Sequence, residues 1–184
     1  MPVTTAFGRI GLVYLSVFAV LWAGALGLAP KAAANDARAG AEIGPVTKLP
    51  IPRYVSLRSS EINVRRGPGL DYRKDWVFRR AGLPVRVVDE YGDWRQIVDK
   101  DEAGGWVYHA MITGRRTVLV VEDGVLLREE ATDSAEATAS AEQGVVARLR
   151  QCAPDWCEIE ADGYRGWVRK AAIWGVDPTE EYDR

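Results

Sequence analysis

The feature that most constrains the fold of this 184-residue chain is an internal repeat with a period of about sixty residues. The string Gly105-Trp106-Val107 returns 61 positions later as Gly166-Trp167-Val168, and Trp94 returns 62 positions later as Trp156. Changes of one position in the period are expected from insertions or deletions in loops, which tolerate them. The repeat therefore predicts two copies of one module, over residues 54–118 and 119–176.

Both copies have the pattern of short β-strands. In the first copy, apolar and polar residues alternate over 84–88, a turn follows at Tyr91-Gly92-Asp93, and a second such run covers 94–98. Short strands between glycine-rich turns favour a small β-barrel or sandwich. A sixty-residue unit buries only about 60% of its unfolded surface, so bulky side chains are needed in its core. We therefore predict an all-β fold and interpret four recurring tryptophans mainly as core or half-buried residues: Trp94, Trp106, Trp156 and Trp167.

Residues 1–34 have the features of an export signal. The uncharged apolar run Ile10–Ala29 precedes Ala32-Ala33-Ala34, which fits a small-residue cleavage site. Because the run has 20 residues, it is also long enough to span a bilayer, and an uncleaved anchor is the alternative. Both interpretations predict an exported chain, which is periplasmic or secreted after cleavage and membrane-anchored otherwise.

Two further segments lie outside the repeat. Residues 35–53 are rich in Ala, Gly and Pro and are interpreted as a linker. Residues 177–184 form an acidic tail, which is expected to be mobile.

The composition argues against several classes of function. With 24 Lys and Arg against 26 Asp and Glu, the net charge is −2, which is unlike a protein that coats nucleic acid. One His and two Cys are too few for most zinc or haem sites. No nucleophile or acid constellation accompanies His109 in the sequence, and acidic pairs such as Asp89-Glu90 fall at turns. We therefore expect no catalytic residues, no metal and no cofactor.

Two strings in the first copy carry a family resemblance. They are Asn63-Val64-Arg65-Arg66-Gly67-Pro68-Gly69 and Gly105-Trp106-Val107. Together, at this separation, they resemble the bacterial SH3 domain, a five-stranded small β-barrel found mostly in exported cell-envelope proteins. The resemblance covers residues 54–176 and implies two tandem SH3-like small β-barrels. The second copy is degenerate, because Glu129-Glu130-Ala131 replaces Gly-Pro-Gly.

The Gly-Pro-Gly turn suggests a groove. Gly67 and Gly69 permit positive φ on either side of Pro68, and the resulting rigid loop is expected to form one wall above the barrel. Candidate ligand-binding residues come from this loop and the neighbouring turns; they are Arg65, Arg66, Tyr72, Arg73, Trp76, Tyr91 and Tyr108. The alternative is that the aromatic residues complete a small core and that the arginines are only solvated.

The resemblance implies a non-catalytic binding module that recognises an envelope peptide, a peptidoglycan component or an envelope protein through the first barrel. The alternative is a structural or assembly protein, which the unequal charges of the copies favour. Residues 55–118 hold 12 basic and 9 acidic residues, whereas 119–176 hold 6 and 11. A cell-wall hydrolase is a distant third. We expect no nucleic-acid partner, and a membrane contact only if the N-terminal segment is retained.

Cys152 and Cys157 are interpreted as a disulfide within one hairpin, because exported chains sit where disulfides persist. If the two residues are directly opposed, their Cα atoms should be about 4.5–5.5 Å apart, which a disulfide accepts. The first copy has Glu90 and Arg95 at the matching positions, which suggests a cross-strand ion pair. A metal site or a redox role is disfavoured, since no His is near and the spacing is not Cys-x-x-Cys.

Overall fold

The computed structural model describes residues 42–183, which form β-strands and two short 3-10 helices, His109–Met111 and Lys170–Ala172. The predicted export signal over residues 1–34 lies outside the described residues. Across 42–183, neither helix has the length and hydrophobicity of a membrane span. A hairpin of two short strands, β1 (Glu42–Ile43) and β2 (Pro50–Ile51), comes first.

The two sequence repeats fold into two sheets, which we call module 1 and module 2. Module 1 consists of β3 (Arg53–Leu57), β4 (Ile62–Arg65), β5 (Lys74–Phe78), β6 (Pro84–Tyr91), β7 (Trp94–Val98), β8 (Gly104–Tyr108) and β9 (Ile112–Thr113). Module 2 consists of β10 (Thr117–Val120), β11 (Val125–Arg128), β12 (Ala137–Ala141), β13 (Val146–Cys152), β14 (Trp156–Ala161), β15 (Tyr164–Arg169) and β16 (Ile173–Trp174).

The strand order is the same in both modules. It runs β5-β4-β8-β7-β6-β3-β9 in module 1 and β12-β11-β15-β14-β13-β10-β16 in module 2. Each strand of module 2 therefore has one equivalent at the same place in module 1. This confirms the predicted all-β fold with two tandem copies.

Each sheet has its own hydrophobic core, formed by the side chains of one face, because successive side chains of a strand point to opposite faces. Branched aliphatic residues fill both cores. In module 1 they include Leu57, Ile62, Val64, Val85, Val87, Ile97 and Val107, and in module 2 Val118, Val120, Leu127, Leu149, Ile159 and Val168.

The recurring tryptophans lie outside these two clusters. Trp94, Trp106 and Trp167 are half-buried, and Trp156 is 7% exposed. The strand alternation points Ile97 into the core and therefore points Trp94, three residues earlier, to the outer face.

The described part of the predicted linker is an ordered hairpin that closes around Glu90. The backbone N–H groups of Val46 and Thr47 donate to Glu90 Oε2 at 3.1 and 2.8 Å, and the Thr47 hydroxyl donates to Glu90 Oε1 at 2.6 Å. Arg53 adds a bond of 2.8 Å to Oε1. Arg95 opposes Glu90 across β6 and β7, with its Nε 3.6 Å from Oε1, which confirms the expected cross-strand ion pair.

At the equivalent place in module 2, a disulfide joins Cys152 and Cys157, as predicted. The two residues are directly opposed in β13 and β14, and their Cα atoms are 4.1 Å apart, which is shorter than the expected distance of about 4.5–5.5 Å. The same hairpin is thus clipped by an ion pair in module 1 and by a covalent bond in module 2.

Replacing both Cys152 and Cys157 by alanine is expected to lower the free energy of unfolding by about 2 kcal/mol, because the bridge closes only a short loop. Urea denaturation of the oxidised protein and the double variant measures the difference. A reducing agent should shift the wild-type curve to that of the variant and leave the variant curve unchanged. Equal stability of the oxidised protein and the variant would contradict a stabilising role of the disulfide.

The acidic tail was expected to be mobile, and over 177–183 this is wrong. The Lys170 ammonium is buried and donates to the backbone carbonyls of Pro154, Pro178 and Glu180 at 2.8, 3.1 and 2.7 Å. Tyr182 also pairs with Cys152 in an antiparallel bridge. A buried ammonium must keep its hydrogen bonds, so the carbonyls of the tail are held against module 2.

Side chains also join the two modules. The hydroxyl oxygens of Ser56 and Thr117 are 2.6 Å apart, and Thr117 donates to the carbonyl of Gly82 at 2.6 Å. The ring of Tyr54 meets that of Trp174 edge-on, with centroids 5.3 Å apart. The modules are therefore in direct contact.

Candidate functional site

The candidate site lies on the outer face of module 1, where three strands bring aromatic side chains together. Tyr91 opposes Trp94 between β6 and β7, and Trp94 opposes Tyr108 between β7 and β8. Directly opposed residues of antiparallel strands place their side chains on the same face. The three rings therefore form one row across the sheet.

The rings of this row are accessible. Tyr91 and Tyr108 are 66% and 40% exposed, and Trp94 is half-buried. The centroids of Trp94 and Tyr108 are 5.8 Å apart with an interplanar angle of 75°, so the two rings form a corner. His109 packs against Tyr108 with centroids 4.6 Å apart. The row thus offers flat apolar surface with hydroxyl and imidazole groups at its edge.

Arg65 positions the loop between β4 and β5, and β4 lies beside β8, the strand that holds Tyr108. Its Nη1 donates to the carbonyls of Leu70 and Tyr72 at 2.8 and 2.7 Å. Arg65 also opposes Trp106 between β4 and β8, two residues from Tyr108 in the same strand. The guanidinium of Arg65 is therefore used to shape the loop.

The Gly-Pro-Gly turn requires glycine for a different reason from the one expected. Neither Gly67 nor Gly69 has a positive φ. Instead, the ring of Tyr72 lies directly on the turn, and a Cβ atom on Gly67 would be 2.4 Å from two ring carbons. Close packing of Tyr72, which remains 49% exposed, therefore explains Gly67.

Arg66 and Arg73 share one carboxylate. Asp75 accepts from Nε and Nη2 of Arg66 at 3.3 Å each, and from the same atoms of Arg73 at 2.9 and 2.7 Å. These hydrogen bonds, first that of Arg73, hold the pKa of Asp75 below its usual value. Both arginine side chains stay exposed, at 64% and 68%, and form a solvated cluster at the base of the loop, where the Arg66 N–H donates to the carbonyl of Arg73 at 3.0 Å.

Trp76 lies apart from the other candidates. It opposes Val64 between β4 and β5 and packs against the core of module 1. Its ring meets that of Phe78 edge-on at 6.3 Å. Of the seven candidate residues, Tyr91 and Tyr108 join the aromatic row, four belong to the loop, and Trp76 belongs to the core.

Trp94 is a site residue that the predicted set of ligand-binding residues does not contain. It is half-buried, in agreement with the interpretation as a core or half-buried residue, and it also forms the centre of the row. The turn at Gly92-Asp93 could have indicated this, because a tight hairpin places Tyr91 and Trp94 opposite each other and hence on one face.

Module 2 keeps the loop anchor without the Gly-Pro-Gly turn. Arg128, the equivalent of Arg65, donates from Nη1 to the carbonyl of Ala135 at 2.7 Å. Arg128 pairs with Ala137 as Arg65 pairs with Lys74, so both loops have the same length. The arginine of the motif therefore serves the loop in both modules.

Within residues 42–183, no three His, Cys, Asp or Glu side chains are grouped so that they could hold a metal ion.

Comparisons with known proteins agree with the duplication. The family model described as bacterial SH3 domain matches residues 58–114 and again residues 121–175. No curated protein matches the sequence. Among solved structures, that of NlpC2 from Trichomonas vaginalis is similar over 67% of this chain and 48% of that chain, with a TM-score of 0.32 and 10% sequence identity. This chain thus spans about half the length of that protein.

Proposed function

This chain belongs to the bacterial SH3 domain family, and from that membership we propose that it is a non-catalytic binding protein of the cell envelope. Its ligand is a peptide or a peptidoglycan component, bound at the outer face of module 1. The observation that carries the proposal is the accessible row of Tyr91, Trp94 and Tyr108 on three neighbouring strands.

The row suits recognition of an extended ligand. Tyrosine and tryptophan dominate the energetics of many interfaces, because they bury large rigid surfaces and keep a polar group at the rim. The anchored loop that contains Tyr72 supplies a second wall. The base of that loop carries Arg66 and Arg73, whose excess charge over Asp75 favours a ligand with carboxylate groups.

Export of the chain is part of the proposal. The disulfide between Cys152 and Cys157 suits an oxidising compartment such as the periplasm or the extracellular space. The N-terminal apolar segment supplies the route of export, with anchoring to the membrane if that segment is retained.

A binding role is favoured over hydrolysis by the chemistry of the site. His109 is engaged with the ring of Tyr108, and its backbone N–H donates to the carbonyl of Asp93 at 2.8 Å. A hydrolase needs a nucleophile or a metal-activated water in reach of a base. The aromatic row offers stacking surface in place of such a pair.

Tyr108→Ala is expected to weaken binding to purified peptidoglycan by about tenfold or more, because it removes one of two accessible tyrosines beside Trp94. Co-sedimentation with insoluble peptidoglycan measures the loss. The matched control is Tyr164→Ala, which removes a tyrosine that is 60% exposed in module 2. Equal retention of Tyr108→Ala and wild type would contradict the placement of the site.

An assembly role is the second candidate, and the contact between the modules favours it. Hydrogen bonds of the Thr117 hydroxyl with Ser56 and Gly82 connect two modules of unequal charge. A pull-down from envelope extract that recovers one stoichiometric protein with wild type and Tyr108→Ala alike would favour this candidate over ligand binding by module 1.

A further inference from the structure

In module 2, an arginine side chain lies at the strand position that Tyr108 occupies in the module 1 site. Arg169 opposes Trp156 between β15 and β14, as Tyr108 opposes Trp94 between β8 and β7. The guanidinium carbon of Arg169 lies 4.3 Å from the centroid of Trp156. A cation over a tryptophan face is attracted by the negative face of the ring. Trp156 is consequently covered, and only 7% of it is exposed.

An acidic residue of the neighbouring loop holds Arg169 in this position. Asp133 lies between β11 and β12 and accepts from Nε of Arg169 at 3.3 Å and also from Nη2. These bonds, with a smaller contribution from the charge of Asp155, raise the pKa of Arg169. Because the two loops have equal length, the place of Asp133 is taken in module 1 by Leu70, which is 76% exposed.

The backbone around the two tryptophans is the same. Lys170 donates its N–H to the carbonyl of Asp155 at 3.0 Å, just as His109 donates to Asp93 at 2.8 Å. Each aspartate directly precedes its tryptophan, so module 1 keeps both the ring and the neighbouring carboxylate. The two modules differ in the cation and its loop partner. Module 1 has Tyr108 in place of Arg169 and Leu70 in place of Asp133.

From these equivalences we infer that the module 1 site takes a cationic group of its ligand, a guanidinium or an ammonium, against Trp94 and beside Asp93. In module 2, Arg169 covers the ring of Trp156 as a built-in cation, whereas in module 1 Tyr108 meets Trp94 edge-on and leaves that ring half-buried. The inference rests on the proposed function of module 1 as the binding module and adds the chemical class of the group bound there. It also predicts that only one of the two modules has such a site, because Trp156 is already covered.

The test is an NMR titration of the full chain that follows the tryptophan indole N–H signals. The probe is the peptide acetyl-Gly-Arg-Gly-amide, and the control is the same peptide with citrulline, which is neutral and nearly isosteric with arginine. We expect the arginine peptide to shift the Trp94 signal, to leave Trp156 unmoved, and to bind about fivefold more tightly than the citrulline peptide. Asp93→Asn should reduce that preference.

Arg169→Gln provides the complementary arm. The side chain of Arg169 is 46% exposed, so its replacement is compatible with folding, and unchanged signals of the module 2 core residues Ile159 and Val168 verify this. In this variant the arginine peptide should shift both Trp94 and Trp156. An unmoved Trp94, equal binding of the two peptides, or no gain at Trp156 would each overturn the inference.

The two proposals can fail separately. If the arginine peptide shifts Trp94 but the protein does not sediment with peptidoglycan, the cation site stands and the peptidoglycan ligand does not. If the protein sediments through Tyr108 and the arginine peptide leaves Trp94 unmoved, the binding function stands and the cation site is overturned.

Discussion

Glu90→Gln is expected to lower the free energy of unfolding by about 3–5 kcal/mol, because it leaves two arginines without their common anion. The Glu90 side chain is fully buried, whereas those of Arg53 and Arg95 are 17% and 7% exposed. The glutamine can replace some of the hydrogen bonds from Val46 and Thr47, but it cannot neutralise the arginines. The β1–β2 hairpin should therefore loosen together with the part of the β6–β7 hairpin that contains Glu90 and Arg95.

Acid should act on the wild type through the same carboxylate. Burial alone would raise the pKa of Glu90, but hydrogen bonds from Thr47, Arg53 and Val46 outweigh it and lower the pKa to about 2. A carboxylate with a lowered pKa in the folded state contributes stability above its unfolded value of 4.5. This contribution, about 3 kcal/mol, is lost as the pH falls from 4.5 towards 2.

Urea denaturation at pH 7 and pH 3 measures both effects. Glu102→Gln is the matched control, because Glu102 is 66% exposed in its pair with Arg86 and should change stability by less than about 1 kcal/mol. Glu90→Gln should also lose less stability between the two pH values than wild type does. Equal stability of Glu90→Gln and Glu102→Gln at pH 7 would contradict the stabilising role of the buried Glu90 carboxylate.

Arg116→Ala is expected to cost about 2–4 kcal/mol and to free the C-terminal tail. Arg116 forms two bonds to the Glu180 carboxylate, at 2.6 and 3.1 Å, and one to the carbonyl of Gly175 at 2.8 Å. Its guanidinium also lies 5.6 and 5.5 Å from the ring centroids of Tyr54 and Tyr182. Tyr54 belongs to module 1 and Tyr182 to the tail, so one side chain joins the two modules and the tail.

The carboxylates around Arg116 should respond to its loss. Burial tends to raise the pKa of Glu180, and the hydrogen bond from Arg116 outweighs it and lowers the pKa. Burial and the charge of Glu180 raise the pKa of Asp177. In a freed tail the pKa of Glu180 should rise and that of Asp177 should fall, each towards its ordinary value, which carbon-detected NMR of the side-chain carboxyls can follow.

Hydrogen exchange gives the most local measure of this prediction. The amides of Cys152 and Tyr182 bond to each other's carbonyls, and Arg116→Ala should accelerate the exchange of both. Arg115→Ala, which removes an exposed neighbouring arginine, is the control and should leave them protected. Equal protection in the two variants would show that the tail does not depend on Arg116.

The fold was predictable from the sequence because its determinants are local and repeated. Alternating runs such as 84–88 and 94–98, separated by a tight turn, identify a hairpin without any knowledge of its partners. The repeat then transfers each assignment from one copy to the other. The pairs Glu90–Arg95 and Cys152–Cys157 follow from the same hairpin register and were both predicted.

The details of the site depend on contacts between distant parts of the chain. The outward direction of Trp94 is fixed by which face of β7 meets the core, and a strand with large residues on both faces leaves that choice open. The role of Gly67 depends on the packing of Tyr72, five residues away. The hydrogen bonds to Glu90 come in part from Thr47, which lies 43 positions earlier in the chain, and no local sequence pattern predicts this contact.

The most direct test of the central claim is a titration of the tryptophan indole N–H signals with soluble peptidoglycan fragments. We expect the Trp94 indole signal to shift in step with the backbone amide signals of Tyr91 and Tyr108, while Trp156, covered by Arg169, stays in place. A shift of Trp156 with an unmoved Trp94, or no shift of either, would contradict the assignment of the binding face to module 1.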